Sequence, residues 1–292
     1  MILSKNLIDK LAAKIKEKGR LLDYYLIQNL FNSNQIEIIN ELKNYQNIDG
    51  GFGHGLEPDI MLPHSSIVCT DEAVEILEEV EDFPLKLDII KNIIIYYEKT
   101  YKSSIEGWEI VPPDVDLYPH AIWWNYNNVG NFTYGNPNPQ IIGFLYSYRE
   151  FVKTLDIDYL VNKTIQYIKK EFLKESSKHN ILSCLIFYRY MPEKIQEELL
   201  PNLQVAIDKE LTESDDSDYK LEPYEILLIA PAFLEKHQDL LKKNLLVLYE
   251  KIQEDLIQPN WSWFQYPDVF DEIKPHWAGF LTYKVLTVLL KN

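Results

Sequence analysis

Residues 45–55 read Tyr-Gln-Asn-Ile-Asp-Gly-Gly-Phe-Gly-His-Gly and place four of the chain's ten glycines within six positions. Glycine at this density permits positive φ values and close approach of the backbone, so the stretch predicts a tight turn. It is not a phosphate-binding loop, because it lacks a Lys-Ser/Thr ending and does not follow a strand. The turn instead follows a helix, and helical periodicity extends along the chain on both sides of it.

Apolar residues recur at three- and four-residue spacing in segment after segment, while alternating strand patterns are almost absent. Gly19 and several prolines punctuate the pattern, since proline suits a first helical turn and not a helix interior. No linker or low-complexity tract divides the chain, so we expect one domain over 1–292. The class predicted is all-α, with twelve helices at about 5–18, 20–32, 34–46, 66–81, 84–102, 137–155, 157–173, 176–190, 193–211, 221–236, 238–257 and 275–291.

The connections between the predicted helices differ in length, and all the long ones follow helices 3, 5, 9 and 11. Short loops make neighbouring helices antiparallel, so alternation places the four long segments on one face of six helical hairpins. These segments contain no Lys or Arg, hold fourteen carboxylates, and carry five of the six tryptophans. Such loops on a rigid scaffold favour a binding site, although packing and solvation alone explain any single one. Their ranges are 46–66, 103–136, 212–219 and 258–273.

The glycine turn and the residues after it resemble the glycine-rich repeat of the protein prenyltransferase β-subunit and terpenoid cyclase superfamily. In that repeat a helix ends in Q-x-x-D-G-G-F-G, and a P-H and a T-x-x-A follow. The resemblance implies an (α/α)6 toroid with a cavity at one end, and it implies no particular reaction. A second likeness, at 119–124 and 135–143, is to bacterial toroid proteins and adds no activity. The residues that match the repeat are Gln46, Asp49-Gly50-Gly51-Phe52-Gly53, Pro63-His64 and Thr70-Asp71-Glu72-Ala73.

The chain departs from the catalytic motifs of that superfamily. The Asp-x-Cys part of the prenyltransferase zinc site is missing, and Cys69 and Cys184 are predicted to be small core residues. Residues 114–117 read Asp-Val-Asp-Leu and lack the last Asp of the class II cyclase motif. The acidic run at 215–218 has the wrong spacing for a magnesium motif and is predicted to be a solvated loop. We therefore expect no metal and no cofactor.

Residues 107–125 hold the highest density of candidate catalytic side chains in the chain. Asp114 and Asp116 alternate there with apolar residues, and His120 precedes Trp123 and Trp124. A carboxyl held against aromatic walls has its charged form desolvated, so its pKa rises and it can act as a general acid. His120 is a candidate to orient a group or relay a proton. The structural alternative is that the two aspartates cap turns and His120 satisfies a buried carbonyl.

Further candidates lie beside prolines near other helix starts. Asp59, in Leu56-Glu57-Pro58-Asp59, is a fourth catalytic candidate. Glu222-Pro223 and Pro267-Asp268 likewise place a carboxylate beside a proline near a helix start. A shared turn geometry is the alternative explanation of this repeated pattern. The candidates for substrate contact are aromatic and histidine side chains: Phe52, His54, His64, Trp108, Trp123, Trp124, Trp261, Trp263, His276 and Trp277.

The formal net charge of −16 argues against nucleic acid and anionic membranes as partners. No apolar run approaches the roughly 18 residues of a membrane span, and the first residues lack a signal-peptide core. We expect a cytoplasmic protein without membrane insertion that binds a small-molecule ligand, and nothing in the sequence indicates its oligomeric state.

Three functions fit an acidic, aromatic site whose loops have no basic residue. The first is an enzyme of the terpenoid-cyclase type, in which a carboxylic acid protonates a neutral isoprenoid-like substrate and aromatic faces stabilise the cation. The second is a saccharide-acting enzyme with a carboxylate pair and stacking tryptophans. The third is a non-catalytic toroid that binds a ligand or a basic protein. Transfer from a diphosphate is disfavoured, because that leaving group needs Arg, Lys or bound magnesium.

Overall fold

The computed structural model describes residues 2–32, 34–126, 134–174, 177–213 and 220–291. Those residues form twelve α-helices and only isolated β-bridges, which confirms the all-α class. The helices are α1 (Lys5–Lys18), α2 (Leu21–Asn29), α3 (Gln35–Lys43), α4 (Ile67–Glu78), α5 (Pro84–Thr100), α6 (Asn138–Ser147), α7 (Ile157–Lys170), α8 (Lys178–Tyr190), α9 (Glu193–Glu213), α10 (Pro223–Ile229), α11 (Gln238–Glu254) and α12 (Pro267–Lys291). Five short 3-10 helices lie between them, at Pro113–Leu117, Ile122–Trp124, Arg149–Phe151, Phe172–Lys174 and Pro231–His237.

Side-chain caps explain where several helices begin. Ser4 accepts a hydrogen bond from the Leu7 backbone N–H at 3.2 Å and starts α1. Ser66 does the same for Cys69 at the start of α4, also at 3.2 Å. These caps satisfy backbone donors that have no partner within the helix. Cys69 and Cys184 are both buried and free, as predicted for core residues, and burial raises the pKa of Cys69 to about 12.

The chain divides into two compact units. Unit 1 comprises Met1–Tyr97, Glu109–Asn131 and Leu246–Asn292, and unit 2 comprises Glu98–Trp108 and Phe132–Leu245. The single domain expected over 1–292 stays a prediction. None of the helices in the described part of the chain is long and apolar enough to cross a membrane.

In unit 1, α1 packs on α2, α2 packs on α3, and α12 packs on both α1 and α2. The glycine turn follows α3, and its geometry admits no side chain at two positions. Gly50 has a φ of 94°, and a Cβ there would lie 2.2 Å from the Asn92 carbonyl oxygen. A Cβ on Gly53 would lie 2.2 Å from the His64 carbonyl oxygen. The turn therefore lies against α5 at Gly50 and against the residues before α4 at Gly53.

In unit 2, α8 is the central helix and contacts α6, α9 and α10, while α7 packs on α6 and α9. Trp108 lies in the core of this unit, fully buried, with its ring 5.2 Å from that of Tyr101. Its backbone N–H donates to the Asn138 side chain at 3.1 Å. The acidic run at 215–218, like residues 127–133 of the second long segment, lies outside the described residues.

Candidate functional site

Three of the long acidic segments meet in unit 1. The Ala121 backbone N–H donates to the Asp59 carbonyl at 2.9 Å, and the Met61 N–H donates to the Pro119 carbonyl at 2.9 Å. The segment before α12 joins them, because the Ile122 N–H donates to the Trp263 carbonyl at 3.2 Å. Backbone hydrogen bonds thus place residues 56–62, 118–126 and 258–265 side by side.

The Asp59 carboxylate lies where these segments meet. One oxygen, Oδ1, accepts the indole N–H of Trp263 at 2.6 Å and that of Trp277 at 2.6 Å. Trp261 packs edge-on against Trp277, with ring centroids 5.0 Å apart. Trp123 and Trp124 pack against the same buried cluster as Trp263, a cluster that also contains Ala121, Phe270 and Ile273. Asp59 is 3% exposed, so the indoles enclose it almost completely.

This enclosure changes the acidity of Asp59. Burial raises its pKa to about 6, although the indole N–H groups of Trp263, Trp277 and Trp261 each lower it by stabilising the carboxylate. The carboxyl therefore exchanges its proton near neutral pH, which an acid or base catalyst requires.

Glu57 interacts with Asp59 and with a further carboxyl, Glu72. Burial, together with Asp59 and Glu72, raises the pKa of Glu57 well above its usual range. The Glu57 carboxylate also accepts a hydrogen bond from the Asp59 backbone N–H. Burial and the neighbouring Glu75 raise the pKa of Glu72 to about 8, and Lys284 and Arg20 only partly offset this rise. The three carboxyls form one acidic group with an affinity for protons above that of exposed carboxyls.

Two cations from the helices reach this region, although the long segments supply none. Arg20, buried beside α2, donates to Asp23 at 2.9 and 2.8 Å and to the Leu56 carbonyl at 2.6 Å. It therefore holds the loop that carries Asp59. Lys284 of α12 pairs with Glu75 at 2.8 Å. Each cation is matched by its own carboxylate, so neither fully offsets the burial that raises the pKa values of Glu57, Asp59 and Glu72.

His120 and Asp116 lie beside this site without touching the Asp59 carboxylate. The His120 ring is buried, with Nδ1 2.6 Å from the Tyr118 carbonyl oxygen and Nε2 2.7 Å from Asn125 Oδ1. Asp116 is half-exposed, accepts the Tyr126 backbone N–H at 2.9 Å, and lies 3.7 Å from the His120 ring. Contacts on both sides fix the His120 ring and tie its segment together.

Asp114 pairs with His64 at the surface, with His64 Nδ1 2.6 Å from Asp114 Oδ2. The side chains are 60% and 36% exposed, respectively. His54 is also exposed, and its ring lies 3.0 Å from Asn47 Oδ1. Phe52 is fully buried, and its backbone N–H donates to the Thr70 hydroxyl at 3.0 Å. Phe52 and His54 therefore belong to the glycine turn rather than to the surroundings of the Asp59 carboxylate.

The structure thus brings together Asp59, the five tryptophans of unit 1 and, one residue before Trp277, His276. Burial and Arg20 lower the pKa of His276 to about 4, so its ring is neutral at physiological pH. Trp108 lies in unit 2 and does not take part in this group.

The sequence motifs assign no role to four of the charged residues near Asp59: Arg20, Asp23, Glu72 and Lys284. Glu72 belongs to the quoted Thr70–Ala73 element, so a signal existed in the motif itself. Arg20 precedes α2 and Lys284 lies in α12, both outside the acidic segments, and no sequence motif marks either residue. The composition of the long loops therefore indicates the tryptophans but not these charged side chains.

Within the described ranges, no group of three or more His, Cys, Asp or Glu side chains is arranged to hold a metal ion. Comparison with protein families, curated proteins and solved structures finds no match to this chain.

Proposed function

We propose that this chain is an enzyme of the terpenoid-cyclase type that uses Asp59 as a general acid on a neutral, largely apolar substrate. The observation that carries the proposal is the Asp59 carboxyl itself, enclosed by indoles and with a pKa of about 6. At pH 7 about one such carboxyl in ten holds a proton, which is enough for repeated proton donation.

The indoles can stabilise both the carboxylate and the cation that this proton transfer produces. When Asp59 gives its proton to a carbon–carbon double bond, the N–H groups of Trp263 and Trp277 stabilise the carboxylate left behind. The substrate becomes a carbocation, and the aromatic faces of Trp261 and Trp277 attract that positive charge. The product cation then loses a proton to water and Asp59 takes up a proton from water, so the acid is restored and the isomerisation leaves the atom count of the substrate unchanged.

We also propose that the twelve helices pair as six hairpins in an (α/α)6 toroid. Support comes from the packing within each unit, where even-numbered helices contact the even-numbered helices two along the chain: α6 with α8, and α8 with α10. Within unit 1, α12 packs on α2 and also on α1, so the first and last helices are neighbours. A closed ring of hairpins requires that neighbourhood.

A saccharide-acting enzyme is the second candidate. The observation that favours it is the pair Glu57 and Asp59, two carboxyls of unequal environment in one loop beside tryptophans that can stack on sugar rings. Asp114 and Asp116, the other carboxylates considered from the sequence, are at least partly exposed and are held by His64 and Tyr126.

The test of the first candidate is turnover in D2O of linear isoprenoids of increasing length, with products analysed by mass spectrometry. We expect one deuterium in each cyclised product, and a rate at least about 100-fold lower for Asp59→Asn, because a positioned general acid contributes about 10²–10⁴-fold. Asp114→Asn decides between the two carboxylates and should leave the rate unchanged. Full turnover by Asp59→Asn, or no deuterated product from any chain length, contradicts the proposal.

A further inference from the structure

The His120 ring lies between two oxygen atoms. Its Nδ1 atom is 2.6 Å from the Tyr118 carbonyl oxygen, and its Nε2 atom is 2.7 Å from Oδ1 of Asn125. A carbonyl oxygen can only accept a hydrogen bond, so Nδ1 must carry a proton and donate it. A neutral imidazole has one N–H group and one acceptor nitrogen, so the partner of Nε2 decides whether the ring is neutral or charged.

Gln265 fixes which way the Asn125 amide points. The Gln265 Nε2 atom lies 2.7 Å from the His120 carbonyl oxygen, which would repel an amide oxygen, so an NH2 group must occupy this place. The same NH2 group lies 3.1 Å from the Asn125 side chain and donates its second hydrogen there, which requires an oxygen on Asn125. Because that oxygen accepts, Nε2 of His120 must be a donor as well.

We propose that His120 is held as a doubly protonated imidazolium and is a positioning residue for Asp59 rather than a proton relay. Both of its N–H groups are used in the two hydrogen bonds, so neither is free for a substrate. The Asp116 carboxylate, 3.7 Å from Nε2, partly balances the charge of the ring. The long segments contain no Lys or Arg, so the ring places a positive charge where the composition indicates none.

Three segments with titratable side chains pack around His120. Asp116 comes from the preceding turn, and Tyr266 comes from the segment before α12, with its ring centroid 6.1 Å from that of His120. On the remaining side Ile60 forms a backbone bridge to His120, and the carboxylate of the neighbouring Asp59 is held by indoles. The ring is only 3% exposed, so the two acceptors and Asp116 replace the water that stabilises a charged imidazole in solution.

A charged His120 stabilises the segment that encloses Asp59. The next two residues donate their backbone N–H groups to the carbonyl oxygens of Asp59 and Trp263, at 2.9 and 3.2 Å. Loss of one ring proton leaves Nε2 facing the Asn125 oxygen with no hydrogen between them, which loosens this segment. The inference rests on the proposed function only in treating Asp59 as the acid.

The first experiment is 15N NMR of the histidine rings in the full chain at pH 7.5, where about nine in ten ordinary histidines have lost one proton. The 15N chemical shifts of the two ring nitrogens distinguish an imidazolium from a neutral ring. We expect about half or more of the His120 rings to carry both protons, about fivefold more than for an ordinary histidine. His276, whose pKa is lowered by burial to about 4, is the neutral reference, and His120→Leu assigns the signal.

A variant of Gln265 tests the chain of hydrogen bonds. Gln265→Met removes the NH2 group that orients Asn125 and keeps a side chain of similar length. The Asn125 amide can then turn its own NH2 group toward Nε2, so we expect the doubly protonated fraction of His120 to fall about fivefold. Gln258→Met is the matched control from the same segment, because the Gln258 amide donates to the Leu256 carbonyl at 3.3 Å, and it should leave the fraction unchanged.

Hydrogen exchange of the Trp263 indole N–H, which donates to Asp59, tests the positioning role. His120→Leu removes both ring donors, and we expect this exchange to become about tenfold faster, as the loss of one or two hydrogen bonds gives. As the pH is raised, the exchange rate of the wild type should approach that of His120→Leu where NMR shows the ring losing its second proton. A purely structural role of the ring gives a constant ratio of the two rates.

The inference is wrong if wild-type His120 carries a single ring proton at pH 7.5, if Gln265→Met keeps both protons, or if the protection of Trp263 does not follow the charge of the ring. None of these measurements needs a substrate. Absence of turnover by the wild type therefore contradicts the general-acid proposal alone, and a neutral His120 contradicts this inference alone.

Discussion

Asp59 and Asp114 are both carboxylates of acidic loops in unit 1, yet their surroundings differ in kind. Asp59 is buried and held by neutral indole N–H groups, and it has a pKa of about 6. Asp114 is more than a third exposed and holds a histidine, His64, at 2.6 Å. Neutral donors leave the desolvation of a buried carboxylate only partly compensated, whereas an exposed one keeps its water. The environment, rather than the residue type, separates a candidate acid from a surface ion pair.

The largest expected effect comes from removing a buried side chain that holds Asp59. Trp263→Ala removes a fully buried indole and a hydrogen bond to Asp59, and it should lower the free energy of unfolding by about 3–5 kcal/mol. Urea unfolding followed by circular dichroism measures the change. Trp263→Phe keeps most of the packing and should lose roughly half as much; an equal loss in both variants would show that packing is irrelevant here.

A pH-dependent effect is expected from Glu72. Its pKa is about 8 in the folded protein against 4.5 ordinarily, so the folded state binds more protons between these values. This contribution to stability is fully present below pH 4.5 and is lost as the pH rises through 8. Glu72→Gln does not titrate, and it should be more stable than the wild type by about 1–3 kcal/mol at pH 9 and equal to it at pH 4. Parallel stability curves for the two proteins would refute the assignment.

We expect only a small change in stability when the exposed ion pair of Asp114 is removed. Asp114→Asn breaks the ion pair with His64, and we expect a loss of less than about 1 kcal/mol in the free energy of unfolding. The loss should shrink further in 1 M salt, because exposed charges are screened. A loss as large as that of Trp263→Ala would mean that Asp114 carries a buried interaction.

The smallest effect concerns Phe264, the exposed residue that follows Trp263 in the chain. Phe264 is 78% exposed and has a φ of 59°, a conformation that disfavours large side chains. Phe264→Gly relieves the backbone and should raise the free energy of unfolding by about 0.5 kcal/mol. Phe264→Ala keeps the strain and serves as the control, so an equal gain in both variants would contradict this explanation.

Much of the fold was predictable from periodicity, since every predicted helix has a counterpart. The ends were less predictable. Pro275 was predicted to open the last helix, but it lies inside α12, which begins at Pro267. Proline in a helix interior costs about 3 kcal/mol in isolation, and packing overrides this cost where buried residues lie on both sides, here Phe270 and Ala278. Two predicted helices also end early, at Ser147 and Ile229, and each is followed by a 3-10 turn.

The site was predictable in composition and less so in geometry. The sequence indicated Asp59 and the tryptophans, because they lie in long segments without basic residues. It could not rank Asp59 above Asp114 and Asp116, since burial depends on which segments pair. That pairing, such as Ala121 with Asp59, is made by backbone hydrogen bonds, which side-chain identity does not encode.

The two indoles that hold Asp59 also constrain when the site can form. Trp263 and Trp277 are 204 and 218 residues from Asp59 along the chain. Contacts between residues so far apart in sequence form late in folding, because the chain between the two residues must first be ordered. During synthesis the Asp59 carboxyl must therefore wait until residue 277 has been made, and a fragment that ends before residue 263 lacks both indoles that hold this carboxyl.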